Sequence, residues 1–195
     1  MMRKVVVFDF DGTLTQKDTL LEFIRFACGT GCFLWGFMLF SPVLILIKLH
    51  LYPNWKAKEK VFTYFFKGWE YARFKSKGEE FADVIERFKR EDVLSHMNRH
   101  LKDGDEVYVI SASMEEWVRP WCLRHGVHHV VGTKMEVDEQ GFITGRFMSK
   151  NCYGQEKVNR LLEYEPIRRD YHLYAYGDSR GDLEMFEFAD YAVKL

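Results

Sequence analysis

Several common signatures are missing from this chain. Its four cysteines, Cys28, Cys32, Cys122 and Cys152, form no CxxC pair, so neither a zinc site nor a disulfide framework is indicated, and a reducing cytoplasm is the expected setting. Charge of neither sign is in excess. With 28 Lys and Arg against 29 Asp and Glu, the net charge of −1 provides no basic field for nucleic acid and no polyanionic tail. There is no internal repeat and no low-complexity tract. A signal peptide is not expected either, because Asp9 interrupts the apolar run from Val5 well short of the roughly 7 to 15 residues of such a core.

One long uncharged run exists, Gly31 to Ile47, and its 17 residues reach only the lower limit of about 17 for a membrane span. Pro42 lies inside it, and Lys48 and His50 follow at once. A core-facing or surface-associated helix is therefore expected, with contact to a membrane surface as the less favoured alternative. Of the seven histidines, His96, His100, His125, His128 and His129 lack partners at metal-binding spacing and are expected to be solvated or packed.

At 195 residues the chain can build one sizeable domain carrying a modest insertion. Val5 to Phe8 is a short β-branched and aromatic run, the pattern of a strand buried on both faces of a parallel sheet. The pattern returns at Glu106 to Ser111 and His172 to Asp178, with shorter candidates at His128 to Gly132 and Tyr191 to Leu195. Helical periods separate them. One ends on Gly104, and another opens on a capping box of Ser113 and Glu116 and stops at Gly126. Alternating strands and helices predict an α/β fold with a parallel sheet. Two alternating runs around Asp138 to Gly141 predict a β-hairpin.

The interval 16–88 shows no convincing strand and is expected to be an all-helical insertion, broken near Pro53 and turning at the polar stretch Lys75 to Glu80. It holds 17 of the 32 aromatic residues, first of all as its own core. Residues 1–15 and 89–195 would then form the α/β core.

In open α/β sheets the functional crevice lies beyond the carboxyl ends of the strands. Those ends here carry Asp9 and Asp11 with Gly12 and Thr13, then Ser111, then Asp178 and Asp182, while Lys157 lies on a helix between. Four carboxylates sharing a crevice with one hydroxyl and one ammonium need a cation, and hard oxygen ligands select Mg²⁺. Gly12 would let the backbone approach a phosphate closely.

The ordered motifs DFDGTLT, ISAS, the distant Lys157 and GDSRGD resemble those of the haloacid dehalogenase-like superfamily, in its phosphatase branch, over the whole chain. The helical insertion after the first motif is similar to the cap of the phosphoserine-phosphatase-like subgroup. The resemblance implies a Rossmann-like core and a phosphomonoester phosphatase. In that reading Asp9 is the nucleophile and Asp11 the general acid and base. Ser111 and Lys157 serve phosphate binding and charge, with Gly12, Thr13 and Ala112 also at the phosphate. Asp9, Asp11 (through its carbonyl) and Asp178 are the metal ligands, and Asp182 acts through a water or orients Lys157 and the ligands from behind. A hydrolytic dehalogenase would lack the second acid at Asp11. Ser113 is expected to act only as a helix N-cap.

Asp18 stands roughly where phosphoserine-specific relatives carry an amine-binding glutamate, but Arg25 and Arg73 do not match their carboxylate-binding arginine, and Ser-Ala-Ser replaces their Ser-Gly-Gly. A small phosphorylated substrate is expected, and the uncharged run suggests one with an apolar portion, as in subgroup members that act on lipid-linked phosphates. Phosphoryl transfer to an acceptor hydroxyl, and a non-catalytic binding module, are the alternatives from other classes.

Overall fold

The computed structural model describes the backbone of residues 2–48, 53–148 and 151–195, and their side chains except at 43–48 and 54. Strand β1 (Arg3–Phe8) is followed by four helices, α1 (Thr19–Cys28), α2 (Thr30–Lys48), α3 (Asn54–Phe66) and α4 (Tyr71–Ile85). The chain then returns through α5 (Glu91–Lys102), β2 (Glu106–Met114), α6 (Glu115–Arg124) and β3 (His129–Thr133). A hairpin of β4 (Met135–Val137) and β5 (Ile143–Phe147) precedes α7 (Gln155–Tyr164), β6 (Tyr171–Gly177), α8 (Leu183–Phe188) and β7 (Tyr191–Lys194). The five-stranded sheet is ordered β3-β2-β1-β6-β7, and every pairing in it is parallel.

Both faces of this sheet are covered, which is why its strands are apolar without alternation. Val6, Phe8, Val107 and Val109 turn toward one core, shared with Phe23, Phe62, Phe74 and Trp117 from α1, α3, α4 and α6. Val5, Val7, Tyr108 and Ile110 turn toward the other, closed by Val158 and Leu161 of α7 and Met185 of α8. Each such side chain contributes about 1.5–3 kcal/mol by leaving water. The hairpin supports the inserted helices: the Thr63 hydroxyl of α3 donates to the Gly145 carbonyl at 2.7 Å, and the Ile143 amide donates to the Trp69 carbonyl at 2.9 Å.

Two local expectations are corrected. The turn expected at Lys75 to Glu80 does not occur, since α4 runs unbroken through it. Gly78 is there for packing: a Cβ on it would lie 2.8 Å from the Glu116 carbonyl carbon, so its smallness lets α4 and α6 approach. The capping box of Ser113 and Glu116 is also absent. β2 extends to Met114, which is the N-cap of α6 and makes no side-chain cap bond, while the Glu116 carboxylate accepts from the Tyr71 hydroxyl at 3.3 Å. The uncharged run is helical as expected, with Pro42 inside α2. The break near Pro53 is followed by α3 at Asn54, with residues 49–52 outside the described part.

Among the described residues, no helix is long and apolar enough to cross a membrane. α2 lies at the surface. Gly36 is buried against the Phe65 ring, whereas Leu34, Trp35 and Met38 are 58%, 61% and 58% exposed.

Gly78→Val forces a branched side chain against backbone that cannot yield. Overpacking of about 1–3 kcal/mol outweighs the few tenths of a kcal/mol that Val gains over Gly in helix propensity. A urea denaturation curve should therefore show net destabilisation, and an unchanged or raised midpoint would contradict this packing.

Candidate active site

Register brings the chemistry together. Phe8 of β1 pairs with Val109 of β2 on one side and Tyr176 of β6 on the other. The next residues of β1 and β6 therefore leave the sheet side by side at its carboxyl edge, while β2 continues beside them to Met114. Asp9 follows Phe8, with its amide donating to the Tyr176 carbonyl at 2.9 Å. Ser111 lies two residues beyond Val109, and Asp178 two beyond Tyr176.

Carboxylate oxygens of Asp9, Asp178 and Asp182 all lie within 4.8 Å of one another. Lys157, on the first turn of α7 and only 3% exposed, is placed between two of them. Its Nζ donates to Asp9 Oδ1 at 2.6 Å and to Asp182 Oδ1 at 2.5 Å. The other oxygen of Asp182 accepts from the Ser179 amide at 3.0 Å and hydroxyl at 2.8 Å, so both its oxygens are held by the protein. Asp178 is less committed: Thr13 Oγ1 donates to its Oδ1 at 3.3 Å. Gly12 has φ of 82°, and a Cβ there would lie 2.7 Å from the Asp178 carboxylate carbon, so only glycine fits.

Three carboxylates against one ammonium leave an excess of negative charge. Burial pushes the Asp9 carboxyl up to about 6, with Asp182 and Asp11 adding to the effect and Lys157 opposing it. Asp178 is raised for the same reasons, burial first and Asp182 next, against the pull of Thr13 and Lys157. Burial works against the Lys157 ammonium, but its two carboxylates overcome this and its pKa lies above the ordinary lysine value. Such a cluster has the donor chemistry to hold a hard divalent cation. Removing Lys157 would leave two buried charges facing each other, a loss of about 3–5 kcal/mol for a broken buried pair.

Asp11 is not part of the carboxylate cluster: its side chain turns toward the inserted helices. Its Oδ1 accepts from the Thr19 amide at 2.9 Å and the Thr19 hydroxyl at 2.6 Å, and its Oδ2 from the Ser113 hydroxyl. Trp117 Nε1 in turn donates to Thr19 Oγ1 at 3.0 Å. Ser113 therefore binds Asp11, not a helix end, and this is the physical reason the expected cap is missing. Burial and the nearby Asp18 raise the Asp11 carboxyl, while Lys58 and the hydroxyls of Ser113 and Thr19 pull it down.

The remaining expected residues lie around this centre. Ser111 is fully buried, and its Oγ accepts from the Ser113 amide at 3.0 Å, which leaves its own proton to donate. The Ala112 carbonyl accepts from Thr133 Oγ1 at 2.9 Å, which is joined to Asn151 Oδ1 at 3.1 Å. Arg90 Nη1 donates to the Gly12 carbonyl at 3.1 Å. Thr19, Trp117, Thr133, Asn151 and Arg90 were not singled out in the sequence. A signal existed for Ser113, since residues two apart on an extended segment share a face with Ser111. Asp18 caps α1, its Oδ1 accepting from the amides of Leu20 and Leu21 at 3.0 and 3.2 Å.

Hydrogen bonds to the ionised form of a carboxyl lower its pKa. Ser113→Ala removes one from Asp11, so the Asp11 carboxyl should titrate at higher pH in the variant than in the parent chain. Carboxyl ¹³C NMR on Asp-labelled protein reads this directly, and an unchanged or lower midpoint would contradict the contact.

Protein CicA of Caulobacter vibrioides is 31% identical over 188 residues, which cover 95% of this chain and 83% of that protein. A protein of Bordetella pertussis Tohama I has a similar solved structure, with a TM-score of 0.86 at 21% identity over 100% of this chain and 90% of that one. A phosphoserine phosphatase solved as a phospho-aspartyl intermediate analogue gives 0.68 at 19% identity, over 100% and 87% of the two chains. At these identities the two structures speak for the fold. The profile of the family described as haloacid dehalogenase-like hydrolase matches residues 6–187, nearly the whole chain. With that match, and a parallel sheet whose carboxyl edge gathers Asp9, Lys157, Asp178 and Asp182, this chain belongs to the haloacid dehalogenase-like hydrolases.

Proposed function

We propose that the chain is a Mg²⁺-dependent phosphomonoester phosphatase working through an aspartyl-phosphate on Asp9. The observation that supports this best is the pairing of two differently placed acids at one strand end. Asp9 lies in the carboxylate cluster against Lys157, and Asp11 lies apart from it, held by Thr19 and Ser113. Different surroundings suit the two groups to different roles, one as an ionised nucleophile and one as a proton carrier.

In this reading residues 1–15 and 89–195 form the catalytic core, and 16–88 form a helical cap. Asp9 and Asp178, with the Asp11 carbonyl, would hold Mg²⁺. The ion would shield negative charge where carboxylate and phosphate meet. Lys157 engages Asp9 Oδ1, leaving Oδ2 to attack phosphorus. The bond from phosphorus to the ester oxygen breaks as the new one forms, and Asp11 gives its proton to the departing oxygen. Asp11, now ionised, takes a proton from water, whose oxygen attacks phosphorus, releasing inorganic phosphate and restoring Asp9. Ser111 and the backbone at Gly12, Thr13 and Ala112 hold the phosphoryl oxygens, and Lys157 offsets their charge. Asp182, both of whose oxygens are engaged by Lys157 and Ser179, orients the lysine.

The substrate is a small phosphorylated molecule. Phosphoserine is disfavoured, because Asp18 is committed to capping α1, Arg25 Nε donates to Thr30, and Arg73 lies 4.2 Å over the Trp69 ring. The four cysteines are free thiols, two of them buried, which fits a reducing cytoplasmic setting.

Turnover of p-nitrophenyl phosphate should require Mg²⁺ and cease with EDTA. Asp9→Asn should lower it by about 10³-fold or more while circular dichroism stays unchanged, and Asp11→Asn by about 10²–10⁴-fold. Phosphate release that falls when alcohols are added, with phosphorylated alcohol appearing instead, would mark a phosphotransferase. An Asp9→Asn variant that keeps its activity would overturn the mechanism.

A further inference from the structure

The sequence of α2 is apolar around its whole circumference, yet among the side chains described, those of residues 30–42, only one side is covered. Phe33, Gly36 and Phe40 face α1 and α3, where they border an apolar recess of about 30 Å³ with Leu21, Ile24 and Phe65. The opposite side presents Leu34, Trp35, Met38 and Leu39, which are 53–61% exposed, with Phe37 at 48% on the flank. A helix apolar on every side ordinarily finds apolar surroundings on every side, and a contiguous exposed patch of this kind marks an interaction surface.

The charge of the chain segment that contains α2 indicates what those surroundings are. Residues 25–77 hold nine Lys or Arg against two Asp or Glu, a net of +7, whereas the rest of the chain holds 19 against 27, a net of −8. Exposed members include Arg25 at the end of α1, Lys56 on α3, Lys67 just after it, and Arg73 and Lys75 on α4. A second copy of the chain meeting this face would bring two strongly cationic segments together. An anionic surface would be attracted, and an apolar face of Trp, Leu and Met beside Lys and Arg is the composition of helices that lie in a lipid interface.

We propose that the outward face of α2 seats this protein on an anionic lipid bilayer, with the helix lying in the interface and the flanking basic residues on the headgroups. Crossing is not part of the proposal, since no helix among the described residues is long and apolar enough to do so. The proposal is independent of the chemistry assigned to Asp9.

The test is co-sedimentation of the full chain with vesicles of phosphatidylcholine alone and of phosphatidylcholine with about one-third phosphatidylglycerol. Binding is expected to the anionic vesicles, to be much weaker to the neutral ones, and to fall steeply with salt. The double variant Trp35→Ser/Leu39→Ser, and separately Lys56→Glu/Lys67→Glu, should each lower the partition coefficient by about tenfold or more. Both should keep the parent circular dichroism and p-nitrophenyl phosphate turnover. If the chain ignores anionic vesicles, or if light scattering shows a dimer that the Trp35→Ser/Leu39→Ser variant disperses while vesicle binding is absent, the proposal is overturned.

Discussion

Repulsion among three closely placed carboxylates, two of them buried, is the constraint on which the rest of this structure depends. Asp9, Asp178 and Asp182 share one small volume at the end of the sheet, where a single ammonium, Lys157, meets two of them. Uncompensated charges in such surroundings are costly, and without compensation the groups would take up protons. The fold holds the arrangement in place from several directions. Parallel register sets β1 beside β6. The absence of a side chain at Gly12 makes room for Asp178, and the Gly154 amide, donating to the Gly181 carbonyl at 2.9 Å, ties the start of α7 to the loop carrying Asp182.

A second consequence concerns the inserted helices. Asp11 belongs to the first motif, but its side chain is held by Thr19, the first residue of α1, and by Ser113 at the end of β2. Trp117 of α6 completes the chain of contacts through Thr19. The group proposed to move protons is therefore positioned jointly by the sheet and by the entry to the insertion. Any shift of α1 relative to the strand ends would be felt at Asp11 before it reached Asp9.

Much of this was legible in the sequence because it rests on local signals. The β-branched runs preceding Asp9 and Ser111 mark strands buried on both faces, and carboxylates at strand ends mark the crevice. Lys157 was visible only through its motif context, since nothing in a helical lysine's neighbours announces that folding will bury it between residues 148 and 25 positions away. Ser113 shows the opposite difficulty. Its local pattern fits an N-cap well, but a distant carboxylate competes for the same hydroxyl and wins, moving the helix start to Glu115. At Gly78 a polar, glycine-containing stretch suggests a turn, and a neighbouring helix makes the glycine a contact instead. In each case a tertiary partner, absent from any short window, decides the outcome.

The claim that a divalent cation and Lys157 together balance the carboxylates is tested most directly by calorimetric titration of Mg²⁺ into the metal-free protein. The account predicts saturable binding of one ion per chain, abolished in Asp178→Asn with the fold intact. A folded protein that takes up no Mg²⁺, or an Asp178→Asn variant that binds it unchanged, would contradict the account.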